Sequence, residues 1–297
     1  MSLKRKRDMD ELLTSRNITF IIGPDKVRYS VHEKSIAGLS DPLRALVTGP
    51  MRESIEAKVT WEDVEPAVFV NLMEYAYTGD FLILGCVDKN APEGGMNNLS
   101  NEQKEASDQN KKAKKRDDKL PQSLFEAVVS AKKAGGIKLA AYQFTRKSFK
   151  CSKSCKFRIT NDIQTIYNQE QIEASKKIIP CDLEHYMSLA KLYVLAEKYD
   201  ISELKTLCAS RFKHSIFHAP GAANFMDDMI FVLRYLSNLT RPKDQLRKVM
   251  LKYIITDLKW FMDQNCFRNL LQELPEVATE LFLMIPSEYW QEVSRMC

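Results

Sequence analysis

The stretch WEDVEPAVFVNLMEYAYTGD, residues 61–80, has the pattern of an amphipathic helix with a defined start and a defined end. Glu65-Pro66 predicts the start, because a proline in the first helical turn loses no hydrogen bond. Thr78-Gly79-Asp80 predicts the end, since glycine accepts the left-handed conformation that closes many helices. Between them the apolar residues recur at three- and four-residue steps and form one face, at Phe69, Leu72, Met73 and Ala76. A helix of this kind packs its apolar face into the core of a domain.

The residues before this helix predict a mixture of short strands and short helices. β-branched and aromatic residues at 18–22, and alternating apolar residues at 27–31, favour a hairpin. In order, we expect a strand at 18–22, a turn at 23–26, a strand at 27–31, a helix at 33–39, a helix that Asp41 caps with Pro42 in its first turn, and a strand at 57–61. This alternation is α+β in character.

Two longer segments together resemble the BTB/POZ domain. They are VHEKSIAGLSDPLRALVTGPMRES at residues 31–54 and VTWEDVEPAVFVNLMEYAYTGDF at residues 59–81. The family also has a later helix of the form Y-x-L-A-x-K-Y, and that sequence occurs here at 193–199. The resemblance implies the BTB/POZ fold, a short sheet with helical hairpins, and a function in binding other proteins.

The resemblance divides the chain into a discontinuous domain and three other regions. Its last helix, which we expect Ser202 to cap, lies more than a hundred residues after the segments above. The pattern at residues 246–282 resembles the C-terminal helical extension common in fungal BTB-domain proteins. We therefore assign a basic N-terminal tail at 1–14, a BTB/POZ domain at 15–85 and 180–218, a basic insert at 86–179, and an all-α C-terminal region at 219–290.

The insert differs from the rest of the chain in composition. Between residues 86 and 180 there are 19 Lys and Arg against 11 Asp and Glu, a net charge of +8, whereas the remainder has a net charge of −3. Residues 88–119 are poor in apolar side chains, and we expect them to be disordered. Residues 121–135 predict a helix, and strand-like alternation follows at Tyr142, Phe144, Phe157 and Ile159.

The overall composition is that of a globular intracellular protein. Apolar residues make up 44% of the chain and charged residues 28%. No apolar run approaches the roughly 18 residues of a membrane span, and the N-terminus does not resemble a secretory signal. We therefore expect the nucleus and/or the cytoplasm, with no membrane partner. In such a compartment the seven scattered cysteines are expected to be reduced thiols.

A three-residue element suggests a partner. Met51-Arg52-Glu53 matches the hydrophobic-x-Glu element that follows the helix pair in cullin-binding BTB proteins. The resemblance implies that Met51 gives an adaptable apolar contact and that Glu53 pairs with a basic residue of the scaffold. The alternative is a surface turn that leads into the next strand.

The only candidate metal ligands are three cysteines and one histidine. Cys151, Cys155, Cys181 and His185 have the residue types of a tetrahedral zinc site. Cys181 and His185, however, fall at the start of a helix that the BTB fold requires. Free thiols are the preferred interpretation, so we predict no metal and no cofactor.

Two clusters of cations indicate either nuclear import signals or patches that bind nucleic acid. They consist of Lys4, Arg5, Lys6 and Arg7, and of Lys111, Lys112, Lys114, Lys115 and Arg116. The alternative is a solvated run of charge. Nucleic acid is the less favoured partner, because no recognition helix or zinc-finger spacing accompanies these residues, but it is not excluded.

The chain contains no phosphate-binding glycine loop, no metalloprotease motif and no nucleophile elbow, so we predict that it is not an enzyme. Two classes of function remain. One is a protein-protein interaction module that uses BTB-mediated assembly, as a substrate adaptor for a cullin-class ubiquitin ligase. The other is a nuclear regulatory or chromatin-associated factor whose insert contacts nucleic acid. A homodimer stays open in both classes, although few residues precede the first strand and could exchange between subunits.

Overall fold

The computed structural model describes residues 9–83, 144, 148, 182–217, 225–256 and 258–294. Three predictions lie outside the described residues: the disorder at 88–119, the helix at 121–135, and the strand-like alternation at Tyr142, Phe157 and Ile159. Phe144 is helical and half-buried against the core, so its prediction as strand is wrong. Two aromatic residues two positions apart are too short a pattern to separate a strand from a helix.

Three strands form one small sheet in the order β2-β1-β3. They are β1 (Asn17–Ile22), β2 (Val27–His32) and β3 (Lys58–Trp61). Phe20 in the central strand lies opposite Tyr29 of the antiparallel β2 and opposite Val59 of the parallel β3. The predicted hairpin is confirmed. Because a parallel neighbour requires a crossover connection, the helices between β2 and β3 lie on the route that makes it.

Five helices belong to the same part of the chain: α1 (Met9–Leu13), α2 (Glu33–Ala37), α3 (Asp41–Thr48), α4 (Arg52–Ile55) and α5 (Pro66–Thr78). The helix α5 is the one that residues 61–80 predict. Its four predicted apolar residues are all buried. Gly79 adopts a φ of 78°, and its N–H donates to the carbonyl of Tyr75. The predicted start, face and end of α5 are therefore confirmed.

Two details near the N-terminus differ from the sequence analysis. Ser40, not Asp41, caps α3, because the Ser40 side chain accepts the N–H of Leu43 while Asp41 is already helical. Serine and aspartate cap equally well, so adjacent candidates cannot be ranked from sequence. Leu12 in α1, which falls within the predicted tail at 1–14, is buried.

Two later helices, α6 (Leu183–Lys198) and α7 (Ser202–Phe217), pack against this first segment. Ser202 is the first residue of α7 and not its cap. The Trp61 and Tyr199 rings stack with their centroids 4.6 Å apart, and burial raises the pKa of Tyr199 to about 12. The segments that contain α1 to α5 and α6 to α7 thus share one core.

Ion pairs at the edge of this joint connect the same two segments. Lys191 Nζ lies 2.5 Å from Glu65 Oε1. Lys198 Nζ donates to Asp63 at 2.6 Å, and this hydrogen bond holds the pKa of Asp63 below its ordinary value. Because these pairs are exposed, each contributes at most about 1 kcal/mol, and their main effect is on orientation.

Six further helices follow: α8 (Phe225–Leu239), α9 (Gln245–Thr256), α10 (Leu258–Asp263), α11 (Asn265–Glu273), α12 (Pro275–Met284) and α13 (Ser287–Ser294). The apolar stripe of α8 at Phe225, Met229, Val232 and Leu236 is buried, and Pro275 is the first residue of α12. None of the helices in the described residues is long and apolar enough to cross a bilayer.

A buried hydrogen-bond network joins the C-terminal helices to α6 and α7. The Tyr193 hydroxyl donates to Asp244, with distances of 2.8 Å to Oδ1 and 2.9 Å to Oδ2. Lys205 Nζ lies 3.5 Å from the same carboxylate, whose side chain is only 5% exposed. Burial, followed by the contact with Asp244, raises the pKa of Tyr193 well above its usual range. The C-terminal helices therefore continue the core of α6 and α7.

Candidate protein-interaction surface

The segment that carries Met51, Arg52 and Glu53 is a single exposed helical turn. α3 ends at Thr48, and α4 begins at Arg52 with Met51 at its N-cap position. Gly49 passes so close to α3 that an added Cβ would lie 2.3 Å from the carbonyl oxygen of Ala45. Only glycine fits this approach, which sets the path of the chain into α4.

Hydrogen bonds from Arg16 hold this turn to the domain. The Arg16 Nη2 group donates to the carbonyl of Val47 at 2.8 Å and to Ser54 Oγ at 3.1 Å. Its Nε donates to Glu33, which leads out of the sheet into α2. Ser54 is buried, so the inner side of α4 is fixed while its outer side faces solvent. We call residues Met51–Ile55 the α4 turn.

The outer side of the α4 turn carries two apolar side chains. Met51 is 48% exposed and Ile55 is 75% exposed. Residues four apart lie on one side of a helical turn, and the Ile55 N–H donates to the Met51 carbonyl at 3.1 Å. Two large apolar side chains are therefore exposed to solvent on one short and well-braced element.

Charged groups accompany this apolar pair. Arg52 Nε lies 2.6 Å from Glu56 Oε1, and that hydrogen bond raises the pKa of the Arg52 guanidinium. Glu53 is half-exposed and forms no ion pair with a residue in the described part of the chain. The turn thus offers an apolar contact with a carboxylate beside it that is available to a cation on another molecule.

The structure gives His185 a packing role in the joint between α6 and α7. Its Nε2 lies 2.9 Å from Ser215 Oγ, and its backbone N–H donates to the capping side chain of Asp182. Burial lowers the pKa of His185. Cys151, Cys155 and Cys181 lie outside the described residues, so the zinc site stays untested.

The remaining candidate sites are a metal site, the two basic clusters and His32. Among the described residues, no group of three His, Cys, Asp or Glu is placed to hold a metal ion. The two basic clusters lie wholly outside the described residues. The Tyr77 hydroxyl lies 2.9 Å from His32 Nδ1 and accepts the His32 backbone N–H at 3.1 Å. His32 thereby ties β2 to α5.

Sequence reasoning missed two parts of the α4 turn. Ile55 precedes a predicted strand, and its exposure follows only from the fold. Arg16 is 31 residues from Val47 and 38 from Ser54, so no local pattern reveals that it braces the turn.

Comparison with known proteins agrees with the fold of the first segment. Residues 9–93 match the family model of the BTB/POZ domain. This range contains α1 to α5 and all three strands, and it stops before α6. The chain therefore carries a BTB/POZ domain with a small three-stranded sheet, followed by a helical C-terminal region. No curated protein matches the chain. BTB/POZ domains are in general protein-interaction modules and not enzymes, and they mediate contacts that include homodimers.

Proposed function

We propose that this protein is a non-enzymatic adaptor that docks a cullin-class ubiquitin ligase scaffold through the α4 turn. The observation that carries the proposal is the exposure of Met51 and Ile55 on a turn that Arg16 and Gly49 hold in place. A solvent-exposed apolar pair costs free energy in the isolated protein, and a partner that covers it recovers that energy.

Charge supports the choice of partner. Glu53 lies beside the apolar pair and forms no ion pair with a described residue, although the charge of Arg52 acts on it, whereas Arg52 is hydrogen-bonded to Glu56. The surface therefore fits a partner that presents an apolar groove with a lysine or arginine at its rim. The hydrophobic-x-Glu element of cullin-binding BTB proteins has the same two components.

A pull-down with a cullin N-terminal domain tests the proposal. The wild type should retain the scaffold, and the double variant Met51→Ala, Glu53→Lys should lose it. The matched control is Val70→Ala, Glu62→Lys, because Val70 is as exposed as Met51 and Glu62 is also on the surface. If the control variant retains the cullin scaffold and the Met51→Ala, Glu53→Lys variant does not, the contact lies at the α4 turn. Failure of the wild type to bind any cullin would end the adaptor proposal.

The second candidate is a nuclear regulatory or chromatin-associated factor. The net charge of +8 between residues 86 and 180 favours it, since clustered cations bind phosphates. Binding of a DNA duplex should then fall steeply with added salt, because each lysine-phosphate contact releases counterions. Lack of binding at low salt would remove this candidate. Both candidates place the protein in the nucleus and/or the cytoplasm.

A further inference from the structure

A second exposed apolar surface lies on the last two helices. Phe282 and Leu283 on α12 are 62% and 68% exposed, and Trp290 on α13 is 46% exposed. The rings of Phe282 and Trp290 meet with their centroids 5.5 Å apart. We call Phe282, Leu283 and Trp290 the aromatic patch. Two aromatic residues that touch each other and face water are unusual on a monomer surface.

The aromatic patch rests on a well-packed base. On the opposite side of α12, Val277 and Leu281 are buried in the core. Next to Trp290, the buried Tyr289 donates its hydroxyl to the carbonyl of Ile255 at 2.9 Å. The patch is therefore a fixed feature of the C-terminal helices and not a frayed chain end.

The helices that carry the patch are acidic. Together α12 and α13 contain four glutamates and no lysine or arginine, at Glu276, Glu280, Glu288 and Glu292. Glu276 is exposed and lies seven residues before Leu283, on the same side of α12. Glu280 is buried against Arg247, so its charge is already compensated inside the protein.

We propose that the aromatic patch docks a helical segment of a partner protein that has apolar anchors flanked by lysine or arginine. The exposed carboxylate of Glu276, with no lysine or arginine on α12 or α13, favours a cationic partner over a neutral or acidic one. This surface lies on other helices than the α4 turn, so the inference goes beyond the proposed function.

Trp290 provides the signal for a direct test. The chain has three tryptophans; Trp61 is buried and Trp260 half-buried, so Trp290 is the most exposed of them. The difference in emission between the wild type and Trp290→Phe isolates its contribution. The probes are two synthetic helices of roughly 18 residues, or five turns, with the same leucine stripe and either lysine or glutamate at all other positions.

Titration of the full-length protein should shift the Trp290 emission to the blue with the lysine helix and not with the glutamate helix. Calorimetric titration of Phe282→Ser and Leu283→Ser should show at least about tenfold weaker binding of the lysine helix. Phe231→Ser is the matched control, since Phe231 is 49% exposed on α8, and it should bind as the wild type does.

Three results would overturn the inference. Equal binding of both helices would show that the charge of Glu276 does not select the partner. Unchanged binding in Phe282→Ser and Leu283→Ser would place the site elsewhere. A light-scattering mass of a dimer in the wild type and of a monomer in Phe282→Ser would show that a second copy covers the patch. None of these measurements involves a cullin, so they stand apart from the test of the proposed function.

Discussion

The two exposed apolar surfaces of this protein are supported in different ways. The α4 turn is held by hydrogen bonds from the exposed Arg16 and by the close approach of Gly49 to α3. The aromatic patch lies on α12, which is attached to the core through a buried ion pair between Glu280 and Arg247 of α9. Changes at the exposed side chains of the α4 turn should therefore have small effects on stability, whereas changes beneath the patch should have large ones.

The largest effect is expected from the buried pair under the aromatic patch. Arg247 and Glu280 are 1% and 7% exposed, with Nη2 and Oε1 2.8 Å apart. In Arg247→Met, Glu280 would keep a buried carboxylate with no cation beside it. We expect a loss of about 3–5 kcal/mol in the free energy of unfolding, measured by denaturant titration.

The double variant Arg247→Met, Glu280→Leu is the control for this prediction. Although Nη2 and Oε1 are close enough for an ion pair, neither they nor Arg247 Nε and the second Glu280 oxygen form a hydrogen bond among the described residues, so the pair is poorly satisfied. An apolar pair of similar volume should restore the stability of the wild type or exceed it. If the double variant is less stable than Arg247→Met, the Arg247–Glu280 pair stabilises the fold by more than the mutual neutralisation of its two charges.

The next largest effect should come from the glycine that leads into the α4 turn. In Gly49→Ala the new Cβ would overlap the Ala45 carbonyl at 2.3 Å, so the backbone must shift. A loss of about 1–3 kcal/mol is expected by denaturant titration. Gly38→Ala is the control, since its Cβ would lie 3.1 Å from the nearest atom, and it should lose less. An equal loss in both variants would contradict the account of the turn.

Mild acid should lower the free energy of unfolding of the core on which both surfaces rest. Burial lowers the pKa of His185 and of His214 in the folded chain, so the neutral imidazoles are favoured there. Below their ordinary pKa of about 6.5 the unfolded chain binds more protons, and the stability present above that pH is lost as the pH falls.

Denaturation midpoints at successive pH values between neutrality and mild acid would show this loss. Near His185, the charge of Asp182 favours protonation and the charge of Arg211 opposes it. The variant His185→Gln should depend less on pH than the wild type and keep the contribution of His214. If the stability of the wild type and of the variant depends on pH in the same way, His185 does not contribute to the loss of stability in acid.

The smallest effect on stability is expected at the tip of the α4 turn. Ile55 is 75% exposed, so Ile55→Ser should change the free energy of unfolding by no more than about 0.5 kcal/mol. The same variant should bind the cullin scaffold more weakly, because its apolar contact is lost. A large loss of stability would mean that Ile55 belongs to the core and not to a binding surface.

The sequence predicted those parts of the fold that follow from local patterns. The start, face and end of α5 follow from Pro66, from apolar spacing and from Gly79. Contacts between distant residues have no such signal, so the bonds of Arg16 to the α4 turn and the pairing of Arg247 with Glu280 emerge only in three dimensions. The aromatic patch was missed for a related reason: apolar residues occur on both sides of α12, and the fold decides which side is covered.

Equilibrium titration of a cullin N-terminal domain into the full-length chain tests the adaptor function most directly. We expect saturable binding by the wild type and by Val70→Ala, Glu62→Lys, with at least about tenfold weaker binding by Met51→Ala, Glu53→Lys. Equal affinity for all three proteins, or no binding by the wild type, would contradict the adaptor proposal.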